Sequence, residues 1–504
     1  MPRMTRANGS RSVPSDRALF ALSSVYALLV RLPWLGAGYG WDSDAWREAS
    51  VAAAMSETGR ILASRFPGNP AFELAIALVW GRSPWAQNPW VLNGLTALVA
   101  ALGTGAFALL ARRVGVAQPL LAALAFTSVP AFLIVSTSTL DYAWGLCFGV
   151  LGLLFAARGL GWAAGVALGI AIGARLTSTL FLGPALVLLA MGRPDTAVGG
   201  APAVSGPRAR SLLACAIAAI ALGGAFYLPL WLEYGPAFLR FYDLGYPSPA
   251  LLLKKATVDL WGWIGTAGIG VALVLALLAR RPGGAQVTDI ARPARGVMAA
   301  CGLGLVLFVV AYLRLPYKPA YLLPAVPFAL LLLGLVPPST RRGLQVAAFA
   351  LVLSPWVLTA YAPGKTDDPL PETEFASRWT RAIRAGGRSV VVDLRGPVPV
   401  DRARRLAGMD YGARILEASR TLPTPAIVVA QDWLPQLRMR LGDHAGAVEE
   451  RGVRFVHQLS EADLDSVRLR GATIYFLPGS ESTHPVRLGL DPRTEGARPL
   501  PLSP

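Results

Sequence analysis

Carboxylates are scarce in residues 1–364 of this 504-residue chain, and their positions say more about it than any other feature. Between residues 18 and 364 there are eleven. Asp195 and Asp289 stand apart in basic loops. The other nine (Asp42, Asp44, Glu48, Glu57, Glu73, Asp141, Glu233, Asp243 and Asp259) fall on one side of the apolar stretches described below. A carboxylate at membrane depth costs about 2.5–3.5 kcal/mol on insertion scales, so such a residue has a partner or a function. Cations accompany the nine: Arg47, Arg60, Arg65, Arg175, Arg240, Lys254, Lys255, Arg314 and Lys318. The three histidines, His444, His457 and His484, all lie beyond residue 400, so a base in the apolar part has to be a carboxylate. A carboxylate within hydrogen-bond reach can deprotonate a hydroxyl. Arginine offers a phosphate a planar fork, and lysine a point charge. Together these residue types describe transfer from a phosphate-linked lipid to a hydroxyl acceptor.

The elements that would position them are apolar helices. Of all residues 54% are hydrophobic and 15% charged, against about 25% charged in a soluble domain. Apolar stretches near 18–35, 90–111, 118–136, 140–157, 161–174, 177–191, 211–232, 258–279, 297–313, 320–336 and 344–361 predict eleven spans. A span needs about 20 residues, so 161–174 and 177–191 are short and read as a hairpin with Arg175 at its tip. The stretch 71–81, carrying Glu73, reads as a juxtamembrane helix. Arg3, Arg6, Arg11 and Arg17 precede the first span. Arg112/Arg113, Arg158, Arg193/Arg208/Arg210, Arg280/Arg281/Arg292/Arg295 and Arg341/Arg342 then recur at every second boundary. The positive-inside rule puts these in the cytoplasm and the acidic loops and the C-terminus outside.

Net charge is +17, which in a soluble protein would suggest nucleic acid. Residues 1–364 hold 27 Lys/Arg against 12 Asp/Glu, and residues 365–504 hold 20 against 18. The excess therefore belongs to the membrane part, where it sets topology and meets anionic lipid. Cys147, Cys215 and Cys301 all lie in apolar runs, so no disulfide framework is available outside. From about residue 365, SVVVDL (389–394), AIVVAQ (426–431), VRFVHQ (453–458) and TIYFLPG (473–479) are short β-rich runs alternating with helix-like segments. They predict a small α/β domain over 365–480 with a largely parallel sheet, followed by a loose tail, 481–504.

The first acidic loop contains Asp42-Ser43-Asp44 and then Pro67-Gly68-Asn69-Pro70. Here the chain resembles the GT-C superfamily of membrane glycosyltransferases, which take sugars from polyprenyl-phosphate carriers. The particular likeness is to bacterial relatives of protein O-mannosyltransferases and aminoarabinose transferases. In those families an acidic motif follows the first span, then an amphipathic helix and a PP- or PG-containing segment. Residues 88–115 look like the following span, and STSTLDYAWGL (136–146) like a segment with an acidic residue at the start of a later one. GARLTSTLFLGPALVL (173–188) and LPYKPAYLLPAVPFALLLLG (315–334) resemble two more, the latter a basic–Tyr–Leu–Leu–Pro signature containing Tyr321. The resemblance covers 18–361 in order. This loop has Asp-Ser-Asp where the family often has Asp-Glu or Asp-x-x-Glu, so either aspartate fits the base.

The resemblance implies an all-α polytopic membrane protein of GT-C type with a small external α/β domain, in the cell membrane. It implies an inverting transfer of a hexosyl or pentosyl group from a polyprenyl-phosphate donor to a protein, lipid or envelope glycan. Asp42 and Asp44 would be catalytic, and Arg65, Asp141, Arg175, Arg314, Lys318 and Tyr321 would bind substrate. It implies no metal and no cofactor, although Asp-Ser-Asp has the form of a metal-binding DxD. Plainer readings stand beside these. Asp42, Asp44 and Asp141 could each cap a helix, Arg175 could snorkel from a helix end, and Arg314 and Lys318 could be interfacial anchors. The alternatives to an enzyme are a transporter or flippase of lipid-linked sugars and a non-catalytic scaffold.

Overall fold

A computed structural model describes residues 14–83, 85, 87–191, 206–239, 246–278, 292–335, 341–361, 376–385, 388–442, 448–460, 463, 471–478 and 498–502. The first helix, α1 (Asp16–Leu29), starts where the Ser15 hydroxyl accepts from the Ala18 amide at 3.2 Å. Two helices, α2 (Ser43–Thr58) and α3 (Pro70–Arg82), then fold back on each other in the first loop. Gly59 ends α2 in the left-handed region at φ 68°, which glycine enters without a Cβ penalty. Proline starts α3, α4 (Pro89–Arg113), α5 (Pro119–Thr127) and α6 (Pro130–Ser136) in their first turn, where its missing N–H costs nothing.

There follow α7 (Tyr142–Ala157), α8 (Gly161–Ala174), a 3-10 turn (Leu176–Phe181), α9 (Leu182–Met191), α10 (Gly206–Tyr234), α11 (Pro249–Ala256), α12 (Val258–Leu278) and α13 (Arg292–Arg314). A second 3-10 turn (Pro319–Ala325), α14 (Val326–Leu335) and α15 (Arg341–Leu353) complete the helical part. Each of the eleven apolar stretches holds a helix, but eleven crossings do not follow from that. Among the described residues four helical stretches, in α4, in α10 with the turn that follows it, in α12 and in α13, are long and apolar enough to cross a membrane. The pair α5–α6, bent by 65°, makes a fifth if counted as one span. The rest are shorter: the 14 residues of α8 reach about 21 Å at 1.5 Å per residue, against a hydrocarbon core of about 30 Å. The stretch 344–361 also ends sooner than expected. Pro355 follows α15 closely, and residues Val357–Tyr361 form a strand, β1.

That strand opens the C-terminal part. It pairs antiparallel with β3 (Arg388–Arg395), as does β2 (Thr380–Ala385), in a sheet of order β1-β3-β2. The run 389–394 is therefore a strand, but not of the parallel sheet expected for it. A second sheet has the order β5-β6-β4-β7-β8. Its strands are β4 (Ala426–Val429), β5 (Val448–Glu450), β6 (Val453–Val456), β7 (Thr473–Phe476) and β8 (Arg498–Pro499). The pairs β4–β6, β4–β7 and β7–β8 are parallel, and β5–β6 is antiparallel. Two helices, α16 (Pro397–Ser419) and α17 (Leu434–Leu441), complete the domain. Most of the expected loose tail lies outside the described residues, but 498–502 are not loose: β8 extends the sheet and Leu500 is buried in its core.

Candidate active site

Asp42 is the N-cap of α2. Its Oδ1 accepts from the Asp44 amide at 3.1 Å, which leaves Oδ2 to accept from Lys318 Nζ at 2.6 Å. Asp42 thus caps α2 with one oxygen and meets Lys318 with the other. Asp44, in the first turn of α2, accepts from the same ammonium at 2.5 Å. Lys318 comes from just before the second 3-10 turn, and its loop is held in place from α11. There Lys255 Nζ donates to the carbonyls of Tyr317 at 2.5 Å and Pro316 at 3.4 Å.

Arg65, from the segment between α2 and α3, joins this pair to a third carboxylate. Its NH1 is ion-paired with Asp44 and its NH2 lies 2.8 Å from Asp141 Oδ1. Asp141 occupies the cap position of α7 but makes no capping hydrogen bond. Its other oxygen accepts from Arg175 NH1 at 2.6 Å. Arg175 sits in extended backbone where α8 breaks into the first 3-10 turn. Its guanidinium lies over the Tyr142 ring, 4.2 Å from the centroid, and over Tyr321 at 4.9 Å. Tyr321 is thereby brought into the cluster as a platform for Arg175. Arg314 is not: it is exposed in the last turn of α13 and takes no part in these ion pairs. Arg240 and Asp243 lie outside the described residues.

Four further residues belong here that were not singled out as site residues. Glu48, fully buried, lies one helical turn after Asp44; its Oε1 accepts from Asn69 Nδ2 at 3.1 Å and is 3.6 Å from Arg65 NH2. The i, i+4 spacing of Asp44 and Glu48 on one helix was the available signal. Arg47 lies 3.3 Å from Asp44 Oδ1 and 2.9 Å from Asp432 Oδ1, so it ties α2 to the C-terminal domain. Nothing in the sequence marks Asp432.

Asp42, Asp44, Glu48 and Asp141 thus face Arg47, Arg65, Arg175 and Lys318. Burial alone would raise the Asp44 carboxyl, but Arg65 and Lys318 outweigh it and hold Asp44 well below the usual carboxylate range. Glu48 behaves oppositely. Burial, reinforced by the Asp141 charge, pushes it well above that range. Burial also raises Glu73, which accepts from the Ser64 amide at 2.8 Å and hydroxyl at 2.6 Å. For Lys318, burial works against the charge, and the neighbouring Tyr142, Asp42 and Asp44 more than restore it. Arg47 is shared further, with Asp432 of the C-terminal domain. Among the described residues no group of three potential ligands could hold a metal ion; both aspartates of Asp-Ser-Asp are turned onto Lys318.

No family model matches the chain, and no curated protein matches it. Solved structures do. A crystal structure of ArnT from Cupriavidus metallidurans bound to undecaprenyl phosphate aligns over 89% of this chain and 87% of its own, with a TM-score of 0.51 and 16% identity. The apo state of the same protein aligns over 90% and 88%, with a TM-score of 0.49 and 15% identity. The Saccharomyces cerevisiae Pmt1-Pmt2 complex bound to the sugar donor aligns over 46% of this chain and 35% of its own, at a TM-score of 0.35 and 16% identity. At such identities the likeness speaks for the fold alone, and the first alignment carries it across both the helical part and the C-terminal sheets. The chain shares its fold with this ArnT structure, which agrees with the resemblance noted over residues 18–361.

Proposed function

We propose that this chain is a glycosyltransferase that moves a sugar from a polyprenyl-phosphate carrier to a hydroxyl-bearing acceptor at the outer face of the membrane. The observation that carries the reading is the cluster itself: Asp42, Asp44 and Asp141 interlocked with Lys318, Arg65 and Arg175 at one end of the helices. Such a set has both halves of the chemistry, cations for a phosphate and a carboxylate for a proton. That the fold is shared with a protein solved with undecaprenyl phosphate agrees with this donor class. The outer face is inferred from the alternation of Arg and Lys along the chain.

The surroundings of the two aspartates divide their roles. Asp44 is clamped by Arg47, Arg65 and Lys318 and strongly favours its ionised form, which makes it a poor proton acceptor and a good holder of cations. Asp42 touches one cation, and its side chain is 27% exposed against 9% for Asp44. Asp42 is therefore the base. It takes the acceptor's hydroxyl proton as the hydroxyl oxygen bonds to the anomeric carbon. The bond from that carbon to the phosphate oxygen breaks, and its electron pair stays on the departing polyprenyl phosphate. Lys318, Arg65 and Arg175 stabilise the charge that develops there. Purified Asp42→Asn protein tests the reading: it should bind undecaprenyl phosphate and fail to transfer sugar. Transfer at the wild-type rate by that variant would refute the assignment of the base.

A further inference from the structure

We infer that Arg405, on α16 of the C-terminal domain, is a positioning residue for Asp141. The inference rests on the reading of Asp141, Arg65 and Arg175 as the carrier-phosphate site. Arg405 is almost fully buried and points out of its own domain into the elbow where α6 ends. Its NH1 donates to the Thr137 carbonyl at 2.8 Å, and its NH2 to the Ile134 carbonyl at 3.1 Å and the Thr137 hydroxyl at 3.3 Å. These carbonyls belong to the last turn of α6, where intrahelical partners run out. A planar guanidinium satisfies two of them at a fixed spacing. Asp401, one turn earlier on α16, pairs with the same guanidinium at 2.5 Å and fixes its direction.

The opposite side of the elbow is held by a second buried arginine. Arg31 Nε donates to the Ser136 hydroxyl at 2.7 Å, and its NH1 to the Thr127 hydroxyl at 2.8 Å and the Ala27 carbonyl at 2.7 Å. Thr127 closes α5 and Ser136 closes α6, so Arg31 spans the 65° bend. Neither Arg31 nor Arg405 reaches the carboxylate cluster. What lies between them and the cluster is a short run of turns and bends, residues 137–140. The Thr139 amide donates to the Tyr39 carbonyl at 2.8 Å, the Thr139 hydroxyl to Asn93 Oδ1 at 2.8 Å, and Asp141 follows two residues later. Asp141 then takes Arg65 on one oxygen and Arg175 on the other. A shift of the elbow passes along four residues straight into the contact that aims both guanidinium groups. Arg31, just after α1, belongs to the helical part in any case. Arg405 makes the soluble domain a part of the site's geometry.

The experiment uses the full chain in lipid nanodiscs, with Arg405→Met and Arg405→Lys variants and undecaprenyl phosphate as the probe. Two quantities are read: the Kd of the probe, and hydrogen exchange at the Thr139 and Leu140 amides. Arg405→Met should weaken the probe on the order of 10-fold to 100-fold, the scale of a misplacement of about 1 Å in a preorganised site. It should also speed exchange at 139–140, while Arg405→Lys recovers part of both. A variant that melts lower but keeps the wild-type Kd and exchange at 139–140 overturns the inference, since Arg405 is then only a domain contact. If wild-type protein does not bind the probe at all, the donor reading falls. The exchange at 139–140 still decides whether Arg405 positions the Asp141 segment.

Discussion

Asp42 and Asp44 are the same side chain in two environments, and the difference between them can be measured. Losing a general base costs on the order of 10²–10⁴ in rate, so Asp42→Asn should cut single-turnover transfer by that much while still binding donor. Asp44→Asn should instead weaken donor binding, because Lys318 and Arg65 lose the carboxylate that aims them. Lys318→Ala should also weaken the donor more than the acceptor, and an unchanged donor Kd in a titration would refute its phosphate role. Glu48 makes a prediction of a different kind. Its carboxyl is raised in the folded chain, so folding above the ordinary carboxylate range requires it to take up a proton. Its contribution to stability is present at low pH and is lost as pH rises. Glu48→Gln has no proton to gain and should therefore raise Tm, by more at about pH 8 than at about pH 5. Equal shifts at the two pH values would show Glu48 to be ionised in the folded chain.

Among the elements, α8 carries a glycine every fourth residue, at 161, 165, 169 and 173, and each faces α10. A Cβ on Gly161 would stand 2.2 Å from the Ser211 carbonyl oxygen, and one on Gly165 2.5 Å from that of Cys215. Backbone cannot rotate away as a side chain can, so Gly165→Val should cost about 1–3 kcal/mol or more by overpacking. Gly224 on α10 has open space around its would-be Cβ, and Gly224→Ala should be neutral or stabilising by up to about 1 kcal/mol. Thermal unfolding of the two variants separates close approach from mere helix propensity. The apolar runs, the basic boundaries and the four β-rich segments were legible in the sequence. What was not legible was pairing at long range. SVVVDL reads as a strand on its own residues, yet one of its neighbours, β1, lies in a run that reads as a span and becomes a strand after α15 stops at Leu353. Lys318 and Asp42 lie 276 residues apart, and no local pattern reports such a contact.

On the scale of the whole molecule, the C-terminal domain sits over the same end of the helices as the cluster. Arg47 bridges Asp44 and Asp432, the Trp41 and Trp433 rings meet edge to face at 6.3 Å, and α17 packs on α2. Domain and acidic loop must therefore lie on one side of the membrane. Cys147, Cys215 and Cys301 are all buried, so an introduced surface cysteine can be labelled selectively. Trp85→Cys in the first loop and Glu417→Cys on α16, both exposed positions, should react with an impermeant maleimide added to intact cells. Reaction of one but not the other would contradict the shared side, and reaction of neither would reverse the orientation.

The single ammonium shared by Asp42 and Asp44 also has a consequence in time. While Lys318 is bonded to both carboxylates, the lone pair that should receive the acceptor's proton is already occupied. Under the proposed function an arriving phosphate would compete for that ammonium, and Asp42 would be released as Lys318 turned towards it. The order of addition should then be compulsory, donor first. In steady-state kinetics free polyprenyl phosphate should inhibit competitively against donor, and acceptor alone should leave no trace on the resting protein.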